Sequence, residues 1–541
     1  MAATATPTPV GLDVVRPTLP SAEVAPRSAL RWRARGLTAL ECVVITFAVA
    51  VGAAMLTWPL GHDQGVFALN GSVVAAGGLP YRDAFETRGP LAFYLFALLR
   101  WIFGPTAWGV RVLDLAFVAA TSALLYRVVA ALGSRRAGRL TAATWPLVVA
   151  TLGHQDSAQF ELWIGAAVLA CVLLVTRAAG YRARDLAAFG FVVGLATLVK
   201  PFYPVLLAVP GAVALLRRRW DVAALARDAG VLVVAWLVPV LAMVGWFWAR
   251  GALADLWAIH ILYSLRVYPA YGVQHALRSQ LTLGFFLAGP FVPTAICAAA
   301  VGFGVLWREH RPLAVALAVW IACAVFFVEL QGRFFWYHWT LLHPALAVLA
   351  AAGCLAVVRG APGVGRWLGV AVAASIVGQA ALTPYFQLRQ TLRYMLHRQD
   401  EGQYYSRFKV WLVNPWDEIA AAQYVRGRTR PDEPIGMWAM DPAVPFLADR
   451  PVVSRFAERR IFAVAPDHPI TRAYRREFLR AIVDRPPTYF VVNRNTDTEA
   501  GERPLGEEMP QLAALLQTTY APDTTFGTLQ ILRRRDVGPR R

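Results

Sequence analysis

Apolar runs of about twenty residues recur between residues 38 and 384. A chain that repeats such runs keeps its backbone hydrogen-bonded by forming helices across a hydrocarbon layer about 30 Å thick. The runs lie at roughly 38–60, 106–131, 140–153, 160–177, 186–200, 202–216, 229–249, 282–306, 313–330, 339–358 and 367–384. The expected fold class is therefore an α-helical polytopic membrane protein with about eleven transmembrane helices of roughly twenty residues each. A shorter apolar stretch, 90–104, follows a proline and reads as an interfacial or re-entrant helix. Hydrophobic residues make up 57% of the 541 and charged residues 16%, which excludes a disordered, collagen-like or disulfide-framed chain.

The same chain carries a net charge of +19, almost all of it arginine, since only Lys200 and Lys409 are lysines. The arginines are unevenly placed. If Arg31, Arg33 and Arg35 are cytoplasmic, every second loop is basic: Arg135/Arg136/Arg139, Arg177/Arg182/Arg184, Arg217/Arg218/Arg219, Arg308/Arg311 and Arg359/Arg366. This alternation predicts a multi-pass plasma-membrane protein with a cytoplasmic N-terminus and an extracytoplasmic C-terminal region. The charge then reports orientation beside anionic lipid rather than nucleic-acid binding. Residues 1–36, rich in Pro, Ala and Thr, read as a disordered cytoplasmic tail and are too long for the n-region of a signal peptide. Residues 37–390 read as the membrane domain, with a first outer loop at 61–105. Residues 391–541 read as a small α/β domain with helices near 417–427 and 473–484 and strands at Ile435–Met440, Thr488–Asn493 and Thr528–Leu532. The five cysteines are scattered through apolar runs, neither a zinc nor a disulfide pattern.

The first outer loop concentrates the chemistry: Gly61-His62-Asp63-Gln64-Gly65, then Gly77 to Asp83, then Arg88-Gly89-Pro90. Asp63 follows directly on the first helix, which fixes its position, and glycines and prolines shape the loop around it. Further stations are Ala158-Gln159-Phe160-Glu161, the turn Gly194 to Lys200-Pro201, Gly332-Arg333 with Tyr337-His338-Trp339, and Asp400-Glu401-Gly402 with Tyr404.

In this order the motifs resemble the GT-C superfamily of polytopic membrane glycosyltransferases, in the branch of protein O-mannosyltransferases and the lipid A aminoarabinose transferase. The resemblance spans nearly the whole chain. Two departures stand out: Gln64 replaces the usual second acid and Arg88 the usual lysine. The resemblance implies a sugar donor carried on a polyprenyl phosphate, which suits a compartment without nucleotide sugars. It also implies a saccharide, lipid or protein acceptor.

A hydroxyl acceptor needs a general base, and Asp63 is the candidate. A departing phosphate needs cations, for which Lys200, Arg333, His338 and Arg88 are candidates. His62, Asp83, His154, Asp156, Glu161 and Tyr337 are candidates for lining the substrate site. Glu161 must face the bundle rather than lipid. With Gln64 in place of an acid, the opening motif offers one carboxylate, so a divalent metal is not favoured and no cofactor is expected. Two readings from other classes stay open: a flippase for a lipid-linked saccharide, and a non-catalytic protein that binds envelope polymers.

Overall fold

The computed structural model describes residues 36–267, 269, 291–332, 334–360, 363–410, 413–496 and 503–538. Its first half runs α1 (Ala39–Met55), α2 (His62–Ala75), α3 (Pro90–Phe103), α4 (Ala107–Ala131) and α5 (Arg135–Thr151). It continues with α6 (Phe160–Val175), α7 (Ala183–Thr197), α8 (Ala208–Arg218) and α9 (Val222–Ala249). After a π-helical turn at Trp257–Tyr263 come α10 (Val292–Glu309) and α11 (Arg311–Gln331). A 3-10 turn, Trp336–Leu342, leads into α12 (His343–Gly360) and the long α13 (Val364–Met395).

Among the described residues five helices are long and apolar enough to cross a membrane: α4, α9, α11, the continuous stretch Trp336–Gly360, and α13. α1, α3 and α6 are apolar but shorter. The exposed apolar face of α9, including Val234, Val238 and Leu241, is what a helix presents to hydrocarbon. α7 and α8 are short because Lys200-Pro201 breaks the run between them and a 3-10 turn, Tyr203–Leu207, restarts it.

One expectation fails at the start of the first outer loop. The sequence reads 62–75 as loop, and the structure makes it helix α2, with Asp63 in its first turn. Gly, Asn and Ser dilute the hydropathy of this helix. Gln64 through Gly71 are all buried, so it shows no amphipathic stripe.

Small residues set the helix spacing. Gly190 and Gly194, four apart on α7, lie so close to α9 that added methyl groups would strike the Leu232 and Trp236 carbonyls. Gly302 of α10 and Gly353 of α12 face each other, and a methyl on either would strike the Leu349 or Ala298 carbonyl. We therefore expect Gly302→Leu to lower the detergent-solubilised melting temperature and the folded yield, since overpacking costs typically about 1–3 kcal/mol or more. The same substitution at Gly304, which has open space around it, is the control.

The C-terminal part contains α14 (Pro415–Arg426), β1 (Gly436–Trp438), α15 (Pro469–Asp484), β2 (Tyr489–Asn493), α16 (Pro510–Thr519), β3 (Tyr520–Phe526) and β4 (Leu529–Arg534). The mixed sheet has the order β1-β2-β4-β3. β1 and β2 are parallel, while β4 pairs antiparallel with β2 and β3. β3, with its proline and mostly half-buried or exposed residues, was not among the expected strands. One aromatic core joins this part to the first outer loop: Phe85 packs against Phe456 and Tyr474, with ring centroids 5.4 Å apart in both cases. The joint is also polar. Phe85 N donates to the Arg455 carbonyl at 3.0 Å, and Arg455 Nη1 donates to the Tyr81 carbonyl at 2.7 Å.

Candidate active site

A cleft opens where five segments meet. α2 brings His62, Asp63 and Val66, and the following loop brings Phe85, Glu86, Thr87 and Arg88. The π turn adds Tyr263, the 3-10 turn adds Phe335 and Tyr337, and the C-terminal part adds Ala457, Glu458, Arg460, Ile461 and Val464. Four residues expected from sequence, His62, Asp63, Arg88 and Tyr337, thus share one wall.

Arg88 is the hub. Its Nη2 donates to Asp63 Oδ2 at 2.9 Å and to the Tyr337 hydroxyl at 3.2 Å, and its Nη1 reaches Glu86 Oε1 at 3.2 Å. The guanidinium also lies over the Phe67 ring, 5.3 Å from its centroid. Burial works to raise the Asp63 pKa. The opposing charges of Arg88 and His62, the Tyr337 hydrogen bond and the charge of Lys200 outweigh it, so the carboxyl is held below its ordinary value. Asp156, half-buried on the turn after α5, behaves oppositely. Burial and the negative charge of Asp63 push it up to about 7. It makes no hydrogen bond or ion pair among the described residues. Asp63 is therefore kept charged, while Asp156 exchanges its proton near neutrality.

His62 has a carbonyl acceptor at one ring nitrogen and a carboxylate at ion-pair distance from the other. Nδ1 is 3.0 Å from the Met440 carbonyl oxygen, and Nε2 is 3.3 Å from Glu458 Oε1. Its backbone N–H donates to Gln155 Oε1 at 2.8 Å.

The floor beneath Asp63 is a closed polar knot. The Gln64 side-chain oxygen accepts from Gly61 N at 2.9 Å and from Arg111 at 2.8 Å. Its amide nitrogen donates to the His154 and Ser157 carbonyls at 2.9 and 2.6 Å. The fully buried Arg111 also donates to Ser157 Oγ, the His154 carbonyl and the Pro59 carbonyl. Gln64, the departure from the two-acid pattern, is thus a structural tie.

The other expected residues sit around the cleft rather than on it. Lys200 forms a buried ion pair with Glu161, donates to Gln331 Oε1 at 2.8 Å, and lies 5.5 Å from the Tyr337 ring centroid. His338 is buried edge-on against Tyr337, with centroids 4.5 Å apart. Asp83 accepts from Leu79 N at 2.7 Å and so closes its own turn. His154 is buried against Phe408, at 5.1 Å between centroids. Arg333 lies outside the described residues. Sequence reading missed Glu86, Glu458 and Arg460. The Glu-x-Arg spacing at 458–460 is a charged signal, but it stands in a chain crowded with arginine. Among the described residues no three His, Cys, Asp or Glu side chains gather as a metal-holding group.

Residues 87–248 match the family model described as dolichyl-phosphate-mannose-protein mannosyltransferase. No curated protein matches the chain. In structure it is similar to ArnT from Cupriavidus metallidurans crystallised with undecaprenyl phosphate, with TM-score 0.57 and 16% identity over 93% of this chain and 100% of that one. It is also similar to the apo state of the same protein, with TM-score 0.54 and 14% identity over 92% and 99%. At such identities the structural similarity establishes the fold, while the segment matched in sequence begins at the Arg88 loop and ends in α9. The chain thus has an ArnT-like fold, and its residues 87–248 are similar to the dolichyl-phosphate-mannose-protein mannosyltransferases.

Proposed function

We propose that the protein is an inverting glycosyltransferase that moves a sugar from a polyprenyl-phosphate donor to a hydroxyl acceptor on the extracytoplasmic face. The observation that carries this reading is the 2.9 Å pair of Asp63 and Arg88 on the cleft wall, a base and a phosphate-binding cation side by side. Arg88 suits the donor phosphate because a guanidinium can hold two of its oxygens at once. Without donor, Arg88 neutralises Asp63. A phosphate that draws Arg88 toward itself leaves the carboxylate more basic at the moment a proton must be taken. The acceptor oxygen then attacks the anomeric carbon and its proton passes to Asp63. The bond from that carbon to the phosphate oxygen breaks, and its electron pair leaves with polyprenyl phosphate. Arg88 meets the charge that develops there. Lys200 and His338 support this wall from behind, through Tyr337. ArnT was crystallised with undecaprenyl phosphate, a lipid of the same chemical class.

The orientation rests on the arginine-rich helix ends. Arg139 pairs with Glu41 at 2.7 Å and Arg359 donates to the Leu132 carbonyl at 2.9 Å, which draws several basic ends together in keeping with a single cytoplasmic face.

A second assignment of the base has its own support. Asp156, near neutrality in its titration and without a hydrogen bond or ion pair among the described residues, fits the general rule that a base works best when poised close to ambient pH. Purified protein in liposomes, given a polyprenyl-phosphate sugar and acceptor extract, is expected to consume the donor and release polyprenyl phosphate. Movement of the intact lipid across the bilayer without cleavage points to the flippase reading. Binding with neither outcome points to a non-catalytic protein.

A further inference from the structure

The C-terminal part reaches the cleft through one short segment, and that segment is firmly held. Arg455 bonds to the outer loop through Tyr81 and pairs with Glu477 at 2.7 Å. Phe456 is buried against Phe85 and Phe462. Arg459 Nη1 donates to the Asn493 carbonyl at 2.9 Å at the end of β2, and Arg459 N donates to the Ala439 carbonyl at 3.3 Å after β1. Glu458 lies between these anchors, so its carboxylate is presented to the cleft by a rigid support. It faces His62.

We propose that Glu458 is a positioning residue of the transferase site, which acts by holding His62 as a doubly protonated cation on the cleft wall beside Asp63. The inference rests on the transferase reading. Its geometry stands on the Met440 hydrogen bond at Nδ1 and the Glu458 ion pair at Nε2. The Met440 carbonyl can only accept, so Nδ1 carries a hydrogen, and the Glu458 carboxylate at Nε2 favours a second. Every titratable neighbour can be named. Glu458 and, on the same α2 turn, Asp63 favour the cation, and Arg460 opposes it. Asp441, which follows β1, is pushed up to about 6 by its burial, against which the charge of His62 acts. Burial opposes the cation most, yet the balance still raises the His62 pKa above its ordinary value. Glu458 in turn is held charged against its own burial, by His62 first and then Arg460. The consequence is a cleft with a cation on either side of Asp63, Arg88 from the outer loop and His62 braced by the C-terminal part. Both face an anionic donor.

The test is Glu458→Gln, with Glu458→Asp as the conservative variant and full-length protein in liposomes throughout. The expected result is a loss of transfer that widens, to roughly tenfold, as pH rises from 5.5 to 8, because His62 without its carboxylate releases its proton at lower pH than in the parent. Glu458→Asp is expected to restore much of the activity at pH 8. In parallel, histidine NMR with the His62 resonance assigned by His62→Gln is expected to show the imidazole titrating at lower pH in Glu458→Gln than in the parent. An unaltered His62 titration overturns the inference whatever the activity does. So does a loss equal at both pH values, which marks Glu458 as a mere structural contact. A shifted titration in a parent protein that transfers nothing upholds the His62–Glu458 linkage and counts against the transferase reading alone.

Discussion

Asp63→Asn is expected to leave a folded, membrane-inserted protein whose sugar transfer is slower by about 10²–10⁴-fold, the usual contribution of a positioned base. The substitution keeps the shape of the side chain, and the asparagine oxygen can still accept from Arg88, so the wall of the cleft keeps its form. Only the charge and the ability to take a proton are lost. The pH profile tells the two carboxylates apart. Asp63 has a lowered pKa, so it is already ionised at pH 5 and produces no acid limb near neutrality. Asp156, pushed up to about 7, is mostly neutral at pH 6 and mostly charged at pH 8. A base at Asp156 therefore makes transfer rise through pH 7, and Asp156→Asn removes that rise together with the activity. Stability runs with opposite signs for the two. The Asp63 contribution is present above its unfolded pKa and is lost as pH falls through the folded value. For Asp156, ionisation above the unfolded pKa is resisted by the fold, so its penalty grows as pH rises toward about 7. Steady-state transfer between pH 5 and 9 for the parent and both asparagine variants decides the matter. Full activity in Asp63→Asn removes the mechanism.

The largest loss of stability is expected from Lys200→Met. The ammonium is buried against Glu161, and its removal leaves a carboxylate inside the bundle with no opposing charge in contact, which costs about 3–5 kcal/mol. Folded yield by size-exclusion chromatography should collapse for Lys200→Met and recover in Lys200→Met/Glu161→Gln, where no bare charge remains. The double variant also separates two roles for Lys200. Because the ammonium is committed to Glu161 and Gln331 and does not line the cleft, the double variant is expected to retain transfer. A folded double variant that no longer binds donor lipid shows instead that Lys200 contacts the phosphate.

The bundle was legible because its signal is additive: each span repeats one chemical property for many residues, and a long apolar run has few other fates. Helix α2 was hidden because its residues are of mixed type and it is buried nearly all round, which erases the periodicity that betrays a surface helix. Asp63 and Arg88 were readable from local motifs, since both lie on the first outer loop. Glu458 and Arg460 were not. They reach the cleft only after the chain has crossed the membrane many times and built a sheet, and a long-range meeting of that kind leaves no mark on local spacing. Lys200 stood out by rarity, but rarity does not say whether a cation is open to a ligand or already paired.

Gln64 carries a consequence for how this site can change. Its amide is used at both ends, the oxygen by two donors and the nitrogen by two carbonyls. A glutamate there has no hydrogen to offer while charged, so a one-letter change to the two-acid motif strands the Ser157 carbonyl and leaves the His154 carbonyl to Arg111 alone, even as it gives Arg111 a charged partner. The turn at 153–157 must be rewired before the acid can return. Position 64 therefore belongs to a complete alternative wiring of the cleft floor rather than a damaged copy of the two-acid motif.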